Sequence, residues 1–448
     1  MVEKVIRRRT AQAPPGDRHV LSFDGDDVRA VSARLGEPRS LAKMRRQAWK
    51  AYQDLPMPAA TDEAWRRMPL AAMPGSSLSL KRANETALPR AISRSLKDRR
   101  EPSYIILRPG LPTQREAPAA LGEKGVIFCD WATAVREHSG LLSRHTGSVI
   151  RHDTDKLTAL VGALASDGLL IYVPPGVELA YPLQAVLWAP GNGRAFFSRV
   201  LVVVGEGSSL TLVLESASPT GKEAESLHVG IVELIVQEGA KLRFVELQNW
   251  GHHMWNLSRE RTRIGPSGEV EWIYGALGSH VSKSFLDLNL DGQGASARFQ
   301  GLFFGDGQQH LEHNTQQNHM NAHTTSDLLI KGALTGSSRS VWRGMVYVSP
   351  QAQQADGYQA NRNLLLSGDA HADSIPGLEI LADAVRCSHA ATVSQLEEEP
   401  IYYLMTRGIE HDEAAKLLLD GFFNAIVARF PNASLRKRVQ DAIHRKLG

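Results

Sequence analysis

Cysteine is nearly absent from this sequence, with two in 448 residues, at positions 129 and 387. Two thiols cannot make the disulfide framework that staples small secreted domains, and they fit a reducing compartment. No Cys-x-x-Cys occurs, so the chain cannot enclose a complete iron–sulfur cluster or a structural zinc in its own thiolates. An excess of one charge is also missing. The 51 basic and 48 acidic residues leave a formal net charge of +3, which designates no nucleic-acid surface. The first twenty residues hold no long apolar run and contain Pro14-Pro15-Gly16, so no signal peptide or membrane span is expected and the expected location is the cytoplasm. The phosphate loop, His-Glu-x-x-His and Gly-x-Ser-x-Gly are absent, and Gly205-Glu206-Gly207 lacks the following helix of a dinucleotide site.

Aromatic residues make up only 6%, whereas glycine numbers 38, a balance that favours short strands and many turns over a helical bundle. At this length two or three domains are expected, unless a repeat architecture extends one core. The first twenty residues read as frayed. Residues 21–55 then have helical period, with Leu41, Met44, Ala48 and Tyr52 three or four apart, until Pro56 and Pro58 stop the helix. A short amphipathic piece begins near Thr61, with Trp65 and Leu70 as packing anchors, and residues 71–100 read as surface loop. Tyr104–Leu107 and Val126–Cys129 read as strands and Trp131–Ser143 as a helix, which makes residues 1–160 an α/β region.

From about residue 160 short apolar runs alternate with glycine turns for more than two hundred residues. The runs are 169–173, 200–204, 209–214, 229–236, 242–247, 270–274, 284–290, 297–304, 327–330 and 341–348. No helix-length pattern separates them, which excludes a doubly wound fold and leaves a large sandwich or barrel against a β-helix. No fixed repeat period is visible, but the unbroken length favours the β-helix, assigned to 161–395. Residues 396–448 return to helix. Acidic residues and Pro400 open the first helix, an apolar stripe from Ala414 to Phe430 marks the second, and Arg436, Lys437, Arg438, Arg445 and Lys446 read as a solvated basic face. The stripe suits core packing or a partner surface.

Two constellations could carry chemistry. Cys387 and His389 share a face if the segment is extended, and could serve as metal ligands, as nucleophile and base, or be a core thiol beside a surface histidine. With so few soft ligands, a metal there needs a second subunit. His310, His313, His319 and His323 could meet around a metal only through a turn; otherwise they are structural or surface residues.

Longer motifs add a resemblance. Gln359-Ala360-Asn361-Arg362-Asn363-Leu364-Leu365-Leu366-Ser367, Pro376-Gly377-Leu378-Glu379-Ile380, Cys387-Ser388-His389-Ala390-Ala391-Thr392 and Tyr402-Tyr403-Leu404-Met405-Thr406-Arg407-Gly408-Ile409 resemble the SufB/SufD family of iron–sulfur cluster assembly scaffolds. Ser388, where SufB-type sequences carry Glu, and the lack of cysteine between 130 and 386 make the chain look like a SufD-type member. The resemblance implies a mainly β fold, a right-handed parallel β-helix flanked by α/β amino-terminal and α-helical carboxy-terminal regions. It implies a non-enzymatic subunit of a SufBCD complex that pairs with a SufB-like chain and docks a SufC-like ABC-type ATPase. Docking is expected at Tyr403, Leu404, Arg407, Leu418, Phe422 and Phe423. A transient cluster is expected at the SufB interface, with His389 as a ligand and the part of Cys387 left open. The isolated chain is expected to bind no cofactor stably, to be able to form a homodimer, and to engage neither nucleic acid nor membrane. Iron acquisition is a family-level role. The competing expectations are a β-helical carbohydrate-binding or -cleaving protein and a purely structural interaction module. Ala390 stands where the family has glycine, which would strain a backbone of positive φ there.

Overall fold

The computed structural model describes residues 21–75, 78–80, 87–97, 103–189, 191–221 and 223–447. The expectation of a frayed start lies outside them, as does part of the 71–100 loop. The amino-terminal region comprises α1 (Gly25–Leu35), α2 (Arg39–Asp54), α3 (Arg90–Lys97), β1 (Tyr104–Leu107), β2 (Gln114–Glu116), α4 (Ala119–Glu123), β3 (Ile127–Asp130), α5 (Trp131–Glu137), α6 (Ser139–His145) and α7 (Lys156–Leu164). The single helical pattern expected over 21–55 is two helices, because Gly36 turns left-handed (φ 63°) and Pro38 restarts the chain. Asp24 and Asp27 close a capping box on α1. The segment from Thr61 folds as turns instead of a helix, and α3 interrupts the expected loop. The helix expected at 131–143 breaks at His138 into α5 and α6. Apolar almost throughout, α7 is buried nearly all round and carries no face signal in the sequence.

The core is built from β4 (Asp167–Val173), β5 (Leu183–Trp188), β6 (Ala195–Val204), β7 (Ser209–Ala217), β8 (Ser226–Val236), β9 (Lys241–Asn249), β10 (Met254–Ile264), β11 (Glu269–Ala276), β12 (Val281–Leu290), β13 (Ser296–Gly305), β14 (His310–His319), β15 (Thr325–Leu334), β16 (Arg339–Val348), β17 (Asp356–Leu365), β18 (His371–Ile380) and β19 (Arg386–Gln395). Odd-numbered strands form one sheet and even-numbered strands the other, and each pairs in parallel with the strand two further on. This is a parallel β-helix with two strands per coil. Register partners lie between 26 residues apart (Trp255 beside Val281) and 32 (Arg339 beside His371). The drift is why no fixed period shows in the sequence. Antiparallel β2 and β3 close the amino-terminal edges of the two sheets.

Alternate residues stack in columns along the lumen. One column runs Phe244, Trp272, Phe299, Leu328, Gln359 and His389, and all but the last are buried. The outer face of the odd-strand sheet is covered by α9 (His411–Val427) and α10 (Ala433–Leu447), which follow α8 (Glu398–Met405). Leu419, Phe423, Ile426 and Phe430 pack on Val245, Ile273, Leu302 and Phe304. The basic face expected on the last helix is not simply solvated. Leu435, Val439 and Ile443 of α10 are buried, Arg438 pairs with Glu215, and Lys446 reaches Asp306 and Gln309.

Candidate functional site at the open end of the helix

The amino-terminal end of the solenoid is capped, but β18 and β19 end their sheets with no further strand beside them among the described residues. Two ten-residue strands therefore expose one edge of backbone donors and acceptors, together with the mouth of the lumen. Leu378, Ile380, Leu381 and Val393 are exposed around it. Register places Cys387 over Gly357 and His389 over Gln359, both in lumen-facing columns. The extended backbone assumed for Cys387 and His389 is thus present, and both belong to the same strand face. Cys387 is half-buried and His389 exposed, because no coil lies above them. Ala390 lies within β19 and has no positive φ, so alanine there brings no strain.

Beneath the mouth the lumen changes character. The earlier coils are filled mainly by Leu, Val, Phe and Trp, with the acids Glu246 and Glu260 among them, whereas the last ones hold more amides and hydroxyls. Gln359 Nε2 donates to the Gly377 carbonyl (2.9 Å), Asn363 Nδ2 to Asn361 Oδ1 (2.7 Å), and Ser374 Oγ to the same oxygen (2.6 Å). The first and last of these bonds tie β17 to β18 beneath the open end, the second lies within β17, and each satisfies a group that burial would otherwise penalise. Burial also pushes the Cys387 thiol up, partly offset by a backbone hydrogen bond from Gly357, so the free side chain is a thiol at neutral pH. The other cysteine, Cys129, is buried in the amino-terminal core and pushed up to about 12.

The four clustered histidines do not meet. His310 Nε2 lies 2.7 Å from Glu312 Oε1, and Glu312 also accepts from buried Lys283 at 2.5 Å. His313 faces the lumen and stacks on Phe303 at 5.1 Å. His323 sits in a turn with φ 58°. His319 is fully buried, bonded to Thr324 and Ser326, and desolvation lowers it to about 4. Among the described residues no three His, Cys, Asp or Glu side chains converge as a metal site. What the sequence did not reveal is that His319 and Cys387, far apart in the chain, flank the same glycine, Gly357. No local pattern connects them; only the register does.

The remaining candidates lie on the carboxy-terminal helices. Tyr403 is 58% exposed and Arg407 lies over its ring at 5.4 Å, while Tyr402 is 70% exposed. Leu404, Leu418 and Phe422 are half-buried, and Lys331 donates to the Phe422 carbonyl (2.6 Å). Phe423 is 1% exposed and faces the β-helix. Of α8 only Ile401 is buried, so that helix keeps an aromatic face in water. No helix among the described residues is long and apolar enough to cross a membrane.

Comparison with known proteins agrees with this architecture. Residues 187–422 match the family described as SUF system FeS cluster assembly, SufBD core domain, and residues 31–185 match the SufBD protein N-terminal region. The chain is similar to an iron-sulfur cluster assembly SufBD family protein of Staphylococcus epidermidis, 32% identical over 311 residues, which is 69% of this chain and 67% of the relative. Relatives of the same description from Staphylococcus haemolyticus (32%) and Staphylococcus saprophyticus (31%) cover the same shares.

Proposed function

Because this chain belongs to the SufBD family of the SUF iron–sulfur cluster assembly system, we propose that it is a SufD-like, non-catalytic scaffold subunit that pairs with a SufB-like chain and docks a SufC-like ATPase in the cytoplasm. The uncovered last coil carries the reading. Its two open strand edges suit a second β-helix laid end to end, and Cys387 and His389 would then face the junction. The nascent cluster is cargo at that junction. His389 supplies an imidazole from this side, and the SufB-like chain supplies thiolate. Ser388 between Cys387 and His389, and the lack of cysteine between 130 and 386, support the SufD-like reading.

The ATPase would dock on α8 and the start of α9, through Tyr402, Tyr403, Leu404, Arg407, Leu418 and Phe422, with Phe423 as their support from beneath. Only Leu396 and Glu397 separate β19 from α8. A displacement of α8 therefore reaches the strand that carries His389, while α9 and α10 stay fastened to the sheet. A carbohydrate-cleaving reading finds no support in the acid pair Glu246 and Glu260, which is buried in the lumen, out of a polymer's reach.

Anaerobic co-purification with SufB-like and SufC-like partners tests this, with iron and sulfide measured for the intact chain and for His389→Ala. The expected outcome is an assembled complex in both cases, with cluster lost from the variant. Unchanged cluster content would make this subunit a mechanical partner only.

A further inference from the structure

Gly357 lies between two donors that the sequence keeps far apart. A Cβ at this position would stand 3.1 Å from Val346 Cγ1, 3.2 Å from His319 Nε2 and 3.3 Å from Cys387 Sγ. These distances are shorter than ordinary carbon contacts, so only the absence of a side chain lets an imidazole nitrogen and a sulfur face one point, one coil below the mouth. The hydrogen bonds fix which nitrogen carries the proton. Thr324 Oγ1 donates to the Asn321 carbonyl (3.0 Å), so it accepts from His319 Nδ1–H (2.8 Å). The proton is therefore on Nδ1, and Nε2 presents a lone pair, which accepts from Ser326 Oγ–H at 2.7 Å.

An independent orphan lies beside them. Gln317 donates through Nε2 to Ser326 Oγ (2.6 Å) and to the Tyr358 carbonyl (3.0 Å), the residue after Gly357. Both bonds orient the amide, because a carbonyl can only accept. Its Oε1 is left buried without a donor, although Gln317 is fully enclosed. A lone pair on nitrogen and a thiol beside one glycine, with an unpaired carbonyl oxygen on the amide that Ser326 links to His319, all call for an electron-pair acceptor. None of the three carries a positive charge that would repel one.

We propose that Cys387, His319 and Gln317 form a lumenal sulfur, nitrogen and oxygen donor set for one divalent metal ion of borderline softness, such as ferrous iron, held beside Gly357. The mixed donor set suits such a metal better than magnesium or calcium, which take oxygen alone. Binding releases the Cys387 proton to solvent, forms a metal–thiolate bond and displaces the Ser326 hydroxyl from Nε2. The role of this ion as iron on its way to the mouth rests on the function proposed above, but its binding does not.

The test is an anaerobic titration of the full chain with cobalt(II), in a Cys129→Ser background so that Cys387 is the one thiol. The readout is the thiolate-to-cobalt charge-transfer absorption. One cobalt per chain is expected, with the band lost in Cys387→Ser. His319→Gln and Gly357→Ala should each weaken binding by about tenfold or more. Gly357→Ala crowds the site without removing any donor, so its effect can be read even if His319→Gln folds poorly; unfolding curves identify that case. His389→Ala should keep the band. A band that persists in Gly357→Ala but vanishes in His389→Ala overturns the proposal and returns Cys387 to the His389 pair. No thiolate band in the starting protein overturns it as well. Cluster loading in the assembled complex separately decides the function, so the two failures are distinguishable.

Discussion

Glu246 on β9 and Glu260 on β10 belong to consecutive strands of one coil and face each other across the lumen. Burial first, and then their mutual repulsion, raises Glu246 well above the ordinary carboxylate range, and burial raises Glu260 as well. The folded chain therefore holds protons here that the unfolded chain releases. The pair's contribution to stability is fully present below the unfolded carboxylate pKa and is lost as pH rises through the raised folded values. Glu246→Gln, which mimics the protonated acid, should make the fall in melting temperature between about pH 6 and about pH 9 shallower than in the parent chain. Equal slopes would show that the pair is not proton-linked. Neither residue was legible in the sequence as one of a pair, since acids are scattered through the strand region and only the register brings these two together. Cys387 and His389 were legible because two residues on one strand need no tertiary information to share a face. His319 and Gly357 were not, for the opposite reason.

At the scale of elements, the same distinction governs the strands. Runs with apolar lumenal residues, such as Val200–Val204 and Val341–Val348, stand out by composition. The strand β14, His310–His319, does not, because after Leu311 its inward positions are His313, Thr315, Gln317 and His319. Amides and hydroxyls can fill a lumen where they bond to one another, and that satisfaction is invisible to a hydropathy pattern. The carboxy-terminal stripe was legible as amphipathic but not as to which residues it buries. Phe423→Ala should lower unfolding stability by about 3–5 kcal/mol, because it empties a site packed on Phe304. Tyr403→Ala should stay within about 0.5 kcal/mol of the parent and instead weaken capture of the SufC-like ATPase. Urea midpoints and a pull-down measure the two effects. A destabilised Tyr403→Ala chain, or one with unaltered ATPase binding, would remove α8 from the docking surface.

Across the whole molecule, the decisive asymmetry is one capped end and one open end. Open edges of ten-residue strands with exposed Leu378 and Val393 invite pairing, so the chain by itself should form a homodimer through its last coil. Light scattering should report a dimer, and Val393→Lys should convert it to a monomer by placing charge at the junction. A dimer that tolerates the lysine would have to use another surface. The sequence by itself determined that a long strand region lies between two helix-bearing regions, since glycine turns between short apolar runs leave few other folds, and its motifs carried the family. Only the tertiary structure decided which end is open and which polar residues face inward. It alone set what lies beside the thiol at Cys387. In a parallel β-helix those neighbours come from register between strands some thirty residues apart, and register is set by the packing of whole coils, not by any local stretch of chain.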